Sequence, residues 1–217
     1  MIKVLQLKNK LTQLALLDKT FEVFGSESHQ YKLNPCLPEA KIQAFESKYN
    51  IKLPSDYRDF LLEVGDGGAG PGYGLLGIGY ESEIREILQV EDDEFLSQSF
   101  PLKEAWNDLG LVKQRVDSAI NYNPYFDNKL VQGTLTIAHY GCGIYAMLVI
   151  TGEQRGNIWI DDRTNDSGIY PASPNFCHFF HDEEPDDFPS DEDEVEPVSF
   201  YYWYDDWLNR SLRQVSQ

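Results

Sequence analysis

Cationic residues are scarce in this 217-residue chain: 18 Lys and Arg stand against 36 Asp and Glu, a net charge of −18. The deficit is local. From Thr164 to Asn209 there is no Lys or Arg, yet thirteen acids fall there, ten of them between Asp182 and Glu196. The rest of the chain carries 23 acids against 18 bases. Phosphate contacts need a basic footprint, so direct nucleic-acid binding is disfavoured. A positively charged protein partner is electrically compatible; the plainer reading of the run is a solvated, disordered loop that aids solubility. Cysteine is also sparse. Cys36, Cys142 and Cys177 are odd in number and irregular in spacing, which fits a reducing compartment better than a disulfide framework. No window approaches 18 uninterrupted apolar residues, so no membrane span is expected. The opening MIKVLQLKNKLTQLALL is broken by Lys8 and Lys10 and has no small-residue cleavage site, a poor signal peptide. A cytoplasmic protein is the expectation.

Catalytic and metal signatures are thin. There is no GK[ST], GxSxG or HExxH, and no papain-like or caspase-like cysteine context. Cys142 lies between two glycines and reads as a small residue at a tight strand entry. Cys177-His178-Phe179-Phe180-His181-Asp182 offers zinc-type ligands, but HxxH shares a face only in a helix and no second ligand pair sits at the needed spacing. The acidic run Asp182–Glu196 lacks the glycine of an EF-hand loop and is interrupted by Pro185 and Pro189. Carboxylate pairs such as Asp161-Asp162 are too common here to mark a glycosidase. The expectation is no enzyme, no metal and no cofactor, with a hydrolase using His178 and His181 as the remote alternative.

The informative stretch is Leu37 to Gly79. It holds two short amphipathic helices, each opened by Leu-Pro, then a burst of glycine: eight of the sixteen glycines lie between Gly65 and Gly79. Pro38 and Pro54 suit the first helical turn. Ile42, Phe45 and Tyr49 form one stripe; Tyr57, Phe60, Leu61 and Val64 form another. Gly65 stands where a left-handed C-cap is expected. Gly65-Asp66-Gly67-Gly68-Ala69-Gly70 matches GxGxxG literally, but a dinucleotide loop needs a strand before it and a helix after it. Here a helix precedes and Pro71-Gly72-Tyr73-Gly74 follows, so the loop reads as a tight connection into a strand near Tyr73–Ile78.

At this length one domain, or a domain with extensions, can bury about 70% of its unfolded surface without a staple. Residues 3–17 read as a helix with Val4, Leu7, Leu11 and Leu14 on one face. Phe24–Pro35 is a polar connection and Glu81–Val90 a helix. Helical fragments are expected near Glu91–Gln98 and Leu111–Ser118, and turns over Asn121–Asn128. Gly133–Ile137 and Gly143–Ile150 read as strands, the second apolar on both faces and so central. Thr151–Gly156 turns the chain into a returning strand, Asn157–Asp161. Ser199–Leu212 closes as a helix with Phe200, Trp203, Trp207 and Leu208 inward. Helices first and antiparallel hairpins later make the α+β pattern.

The run FESKYNIKLPSDYRDFLLEVGDGGAG, Phe45 to Gly70, resembles the helix–LP–helix–glycine signature of the SUKH superfamily, which includes fungal Smi/Knr-type cell-wall regulators and bacterial immunity proteins. SFPLKEAW, GTLTIAHYGCG, LVITGEQRGNIWIDDR and FYYWYDDWL extend the resemblance over most of Phe24 to Leu212. It implies a mixed, largely antiparallel sheet flanked by helices, with residues 1–23 as an N-terminal helix packed on or extending a domain over 24–217. The acidic insert 182–198 departs from the pattern. The resemblance further implies a binding role: neutralising a cognate toxin of a polymorphic or contact-dependent system, a basic nuclease among the candidates, or else a regulatory scaffold. Residues carrying the structural signature are Phe45, Leu53, Pro54, Tyr57, Phe60, Gly65, Gly67, Gly68 and Trp159. Aromatics beside acids make protein-binding hot spots, so the candidate partner-binding residues are Asp66, Tyr73, Tyr80, Glu81, Tyr140, Asp161, Asp162, Asp186 and Asp187. Tyr145 shares that aromatic context, whereas Trp159 is expected in the sheet core.

Overall fold

The computed structural model describes residues 2–78, 94–112, 123–173 and 198–216. Four helices come first: α1 (Ile2–Leu17), the single turn α2 (Ser26–His29), α3 (Glu39–Lys48) and α4 (Ser55–Glu63). The short α5 (Leu109–Val112) precedes four strands, β1 (Thr134–Gly141), β2 (Ile144–Val149), β3 (Ile158–Asp162) and β4 (Gly168–Pro171), and α6 (Phe200–Gln214) follows them. Helices and strands are segregated along the chain, and the fold is α+β. The expected helix Glu81–Val90 lies outside the described residues, as does most of the Leu111–Ser118 fragment. Near Glu91–Gln98, Glu94 closes a single turn by accepting from the Ser97 and Gln98 N–H groups at 2.8 and 3.0 Å.

The sheet is a meander in the order β1-β2-β3-β4. The sheet expected to be largely antiparallel and flanked by helices is so: every strand pair among the described residues is antiparallel. Short turns join the strands, and a parallel pair would need a crossover of about a dozen residues or more. β3 is buried on both faces, as is the Ala146–Val149 part of β2, because side chains pack against them from above and below. Trp159 is fully buried, with the ring of Phe100 edge-on at 4.9 Å.

Both flanks of the sheet are occupied by irregular backbone. Beside β4, Trp106 and Ile169 exchange N–H···O bonds of 2.7 and 2.8 Å. Beside β1, the Tyr73 and Leu76 N–H groups donate to His139 and Ile137 carbonyls at 3.0 and 2.8 Å. The strand expected over Tyr73–Ile78 is therefore reduced to isolated bridges through Leu75. Its glycines explain the loss, since Gly74 at φ 109° departs from strand geometry.

The helical layer is held by aromatic packing. α1 lies along α6 and both touch α4. α1 contributes Leu7, Leu11 and Leu14; α4 contributes Tyr57, Phe60 and Leu61; α6 contributes Phe200, Trp203, Tyr204, Trp207 and Leu208, all buried. Phe60 meets Phe200 and Tyr204 at 5.2 and 5.0 Å, and Tyr57 meets Phe200 at 4.8 Å. Burying each such side chain contributes about 1.5–3 kcal/mol, which holds helices too short to persist alone. Past β4, the Ala172 N–H donates to the Ile158 carbonyl, and the Ile158 N–H donates to the Val198 carbonyl, both at 2.9 Å. Ala172 and Val198, which lie on either side of 173–197 in the chain, are thus both bonded to Ile158.

Candidate functional site

The second Leu-Pro junction is fastened from three directions. Pro38 and Pro54 each occupy the cap position just before their helix, extended at ψ 148° and 140°. Glu46, on α3, is only 3% exposed, and its carboxylate accepts the Leu53 N–H at 2.9 Å and Lys52 Nζ at 3.2 Å. Arg155, in the β2–β3 turn, donates to the Lys52 and Leu53 carbonyls at 3.1 and 2.9 Å. Asp56, in the first turn of α4, accepts from the Tyr57 N–H at 2.9 Å and from the Tyr201 N–H of α6 at 3.0 Å. Ser199, the cap residue of α6, makes no side-chain cap bond. Asp56 therefore serves the positive ends of two helices at once. An acid in the first turn after Leu-Pro is a legible capping signal, although its second client is 145 residues away.

The glycine loop is a close-packed connection. α4 ends at Val64 in a right-handed conformation, and Gly65 is not left-handed, which corrects the C-cap expectation. Gly65 is required by proximity instead, since a Cβ there would lie 2.7 Å from the Asn34 carbonyl oxygen. Gly68 takes φ 99° and is paired in antiparallel fashion with both Leu33 and Leu75. Asp66 is half-buried, and its carboxylate accepts the Ile78 N–H at 2.8 Å. Burial pushes its pKa up, and that N–H bond opposes the shift. Tyr73 is 38% exposed, with its ring stacked on His139 at 5.1 Å and against Phe24 at 5.3 Å.

The other expected partner contacts divide. Tyr80, Glu81, Asp186 and Asp187 lie outside the described residues, as do His178 and His181. Tyr140, Asp161 and Asp162 are buried rather than displayed, with exposures of 4%, 9% and 8%. Asp161 accepts Arg163 Nε and Nη2 at 2.8 and 2.7 Å, and Arg163 then holds the Tyr125 and Asp127 carbonyls. Asp162 accepts Asn165 Nδ2 at 2.6 Å. These acids anchor loops to the sheet. Asp18 anchors the following segment to the end of α1, accepting from the Glu22 and Val23 N–H groups and from the Tyr31 hydroxyl. Burial would raise its pKa, but these hydrogen bonds hold the carboxyl below its usual value. No group of three His, Cys, Asp or Glu residues is placed to hold a metal ion among the described residues.

What the structure does display is a groove of about 750 Å³ where α4 and α6 begin, lined by Val4, Asp56, Asp59, Arg155, Tyr201 and Tyr202 among others. The two tyrosines escaped the sequence reading, although both fall off the apolar stripe of α6 and so had to face outward or into a groove.

A family model for SMI1 / KNR4 (SUKH-1) matches residues 36–182, a span that contains the helix–Leu-Pro–helix–glycine unit and the antiparallel hairpin. The chain belongs to the SMI1 / KNR4 family. Neither the curated proteins nor the solved structures offer a match. The family match covers Asp56, Asp59 and Arg155 of the groove, while Val4, Tyr201 and Tyr202 lie outside it. Membership of the SMI1 / KNR4 family fits a binding or immunity-type role. No helix among the described residues is long and apolar enough to cross a membrane.

Proposed function

We propose that this protein is an immunity protein that neutralises a cognate toxin by binding it, without chemistry of its own. Membership of the SMI1 / KNR4 family carries the reading. The charge of −18 supports a basic partner such as a nuclease, whose nucleic-acid surface an acidic protein can occupy. In this reading the protein acts in the cytoplasm, where such a toxin arrives. Co-expression with the toxin encoded beside the gene tests it: growth is restored, and the purified complex weakens as salt rises. Failure to rescue or bind any neighbouring toxin, with capture of cell-envelope or signalling proteins instead, would assign it to the regulatory branch.

A further inference from the structure

We propose that the groove where α4 and α6 begin docks a basic segment of a partner protein, one bearing an apolar side chain flanked by Lys or Arg. The proposal deepens the function given above and rests on it for the existence of a protein partner. The groove holds about 750 Å³, and its wall is aromatic: Tyr201 is half-buried and Tyr202 is 61% exposed. Tyrosine is favoured at binding hot spots because its ring offers apolar area while its hydroxyl keeps a polar contact.

Electrostatics select the partner's sign. Two converging helix starts ordinarily attract an anion. Here Asp56 already takes the Tyr57 and Tyr201 N–H groups, and the Phe200 N–H goes to the Gly156 carbonyl at 3.2 Å. The cation of the lining, Arg155, is turned onto the Lys52 and Leu53 carbonyls. Asp59 stands exposed on the rim with no ion pair among the described residues. Tyrosines beside an exposed carboxylate complement an apolar anchor beside an ammonium or guanidinium group.

The test uses the full-length protein, labelled with ¹⁵N, and three short synthetic peptides: Lys and Leu at helical spacing, the same with Glu for each Lys, and a Lys-Gly peptide of equal charge without apolar residues. The Lys-Leu peptide is expected to shift the amide signals of Asp56, Asp59, Tyr201 and Tyr202 saturably and to bind more tightly than Lys-Gly, while the Glu peptide gives no shift. Tyr202→Ala and Asp59→Lys should each weaken binding by about tenfold or more. Glu27→Lys, an equal charge change at an exposed position of α2, should alter it by less than about twofold. All three positions are exposed, so unchanged melting temperatures verify the fold. Absence of saturable binding, shifts confined to other surfaces, or equal loss with Glu27→Lys would overturn the proposal. The two ideas separate in the growth assay. Full rescue by the Asp59→Lys, Tyr202→Ala double variant removes the groove and leaves immunity standing. Peptide binding in the groove by a protein that rescues against no toxin keeps the groove and removes immunity.

Discussion

Glu46 shows how a single side chain escapes a reading based on apolar spacing. Ile42, Phe45 and Tyr49 announce the inner face of α3, but nothing in that pattern says that the glutamate beside Phe45 turns inward as well. It does so because Leu53 enters the Leu-Pro junction with an N–H that the next helix does not use. Glu46→Ala leaves that donor buried and unpaired, and should lower stability by about 1–3 kcal/mol, read as a shift of the urea midpoint without change of slope. His29 gives a pH signature. Its Nδ1 accepts the Tyr31 N–H at 3.1 Å, and its ring meets Trp207 edge-on at 5.9 Å. Burial pushes its pKa from 6.5 down to about 4, with the Gly70 backbone opposing. The folded state thus favours the neutral ring. Its contribution is complete above pH 6.5 and is lost as pH falls toward about 4. The total is about 3 kcal/mol at most, from roughly 1.4 kcal/mol per unit. A pH series of urea midpoints should show that decline in the natural protein and lack it in His29→Gln, already weakened at neutral pH.

Helices and the central hairpin were the legible elements. The α6 stripe of Phe200, Trp203, Trp207 and Leu208 is an amphipathic pattern that burial reproduces, with Tyr204 and Ser211 added to it. The β2–β3 hairpin was equally clear from two apolar runs around Thr151–Gly156. β4 was not, because four residues ending in proline carry too little periodicity to separate a strand from a loop. The α4–α6 contact was also invisible, since it joins segments far apart in sequence through rings that have no preferred partner on paper. Two changes test it. Phe60→Asp places a carboxylate between Phe200 and Tyr204 and should cost more than about 4 kcal/mol, so a retained melting temperature would refute this packing. Asp56→Ala removes a cap from two helix starts and should cost about 1–3 kcal/mol. Loss of amide protection at both Tyr57 and Tyr201 in hydrogen exchange identifies the cause; loss at Tyr57 alone would contradict the shared cap.

Across the whole molecule, Ile158 is the point where the described residues on either side of the acidic stretch meet. Because Ala172 and Val198 both bond to that residue, replacing 176–195 by a short Gly-Ser linker closes a gap that is already nearly closed. Loop shortening changes closure entropy only slowly, about 0.6 kcal/mol per halving, so thermal unfolding should move by only a few degrees, roughly. Removal of nine acids should flatten the salt dependence of partner binding; a large drop in melting temperature would instead make the segment part of the core. The α+β class was readable in the order of helices and hairpins, whereas the burial of Asp161 and Asp162 was not, because the sequence does not reveal that Arg163 folds back onto Asp161 and Asn165 onto Asp162. The covered flanks of the sheet have one more consequence. With Trp106 along β4 and Leu75–Leu76 along β1, neither edge of the described sheet is a fully open ladder for a visiting chain. Under the proposed binding role, recognition falls to side chains on helix starts and turns, which are replaceable one at a time while the ladder stays intact. A fold sealed in this way can exchange one partner for another over generations by surface substitution alone, keeping its backbone as a fixed chassis.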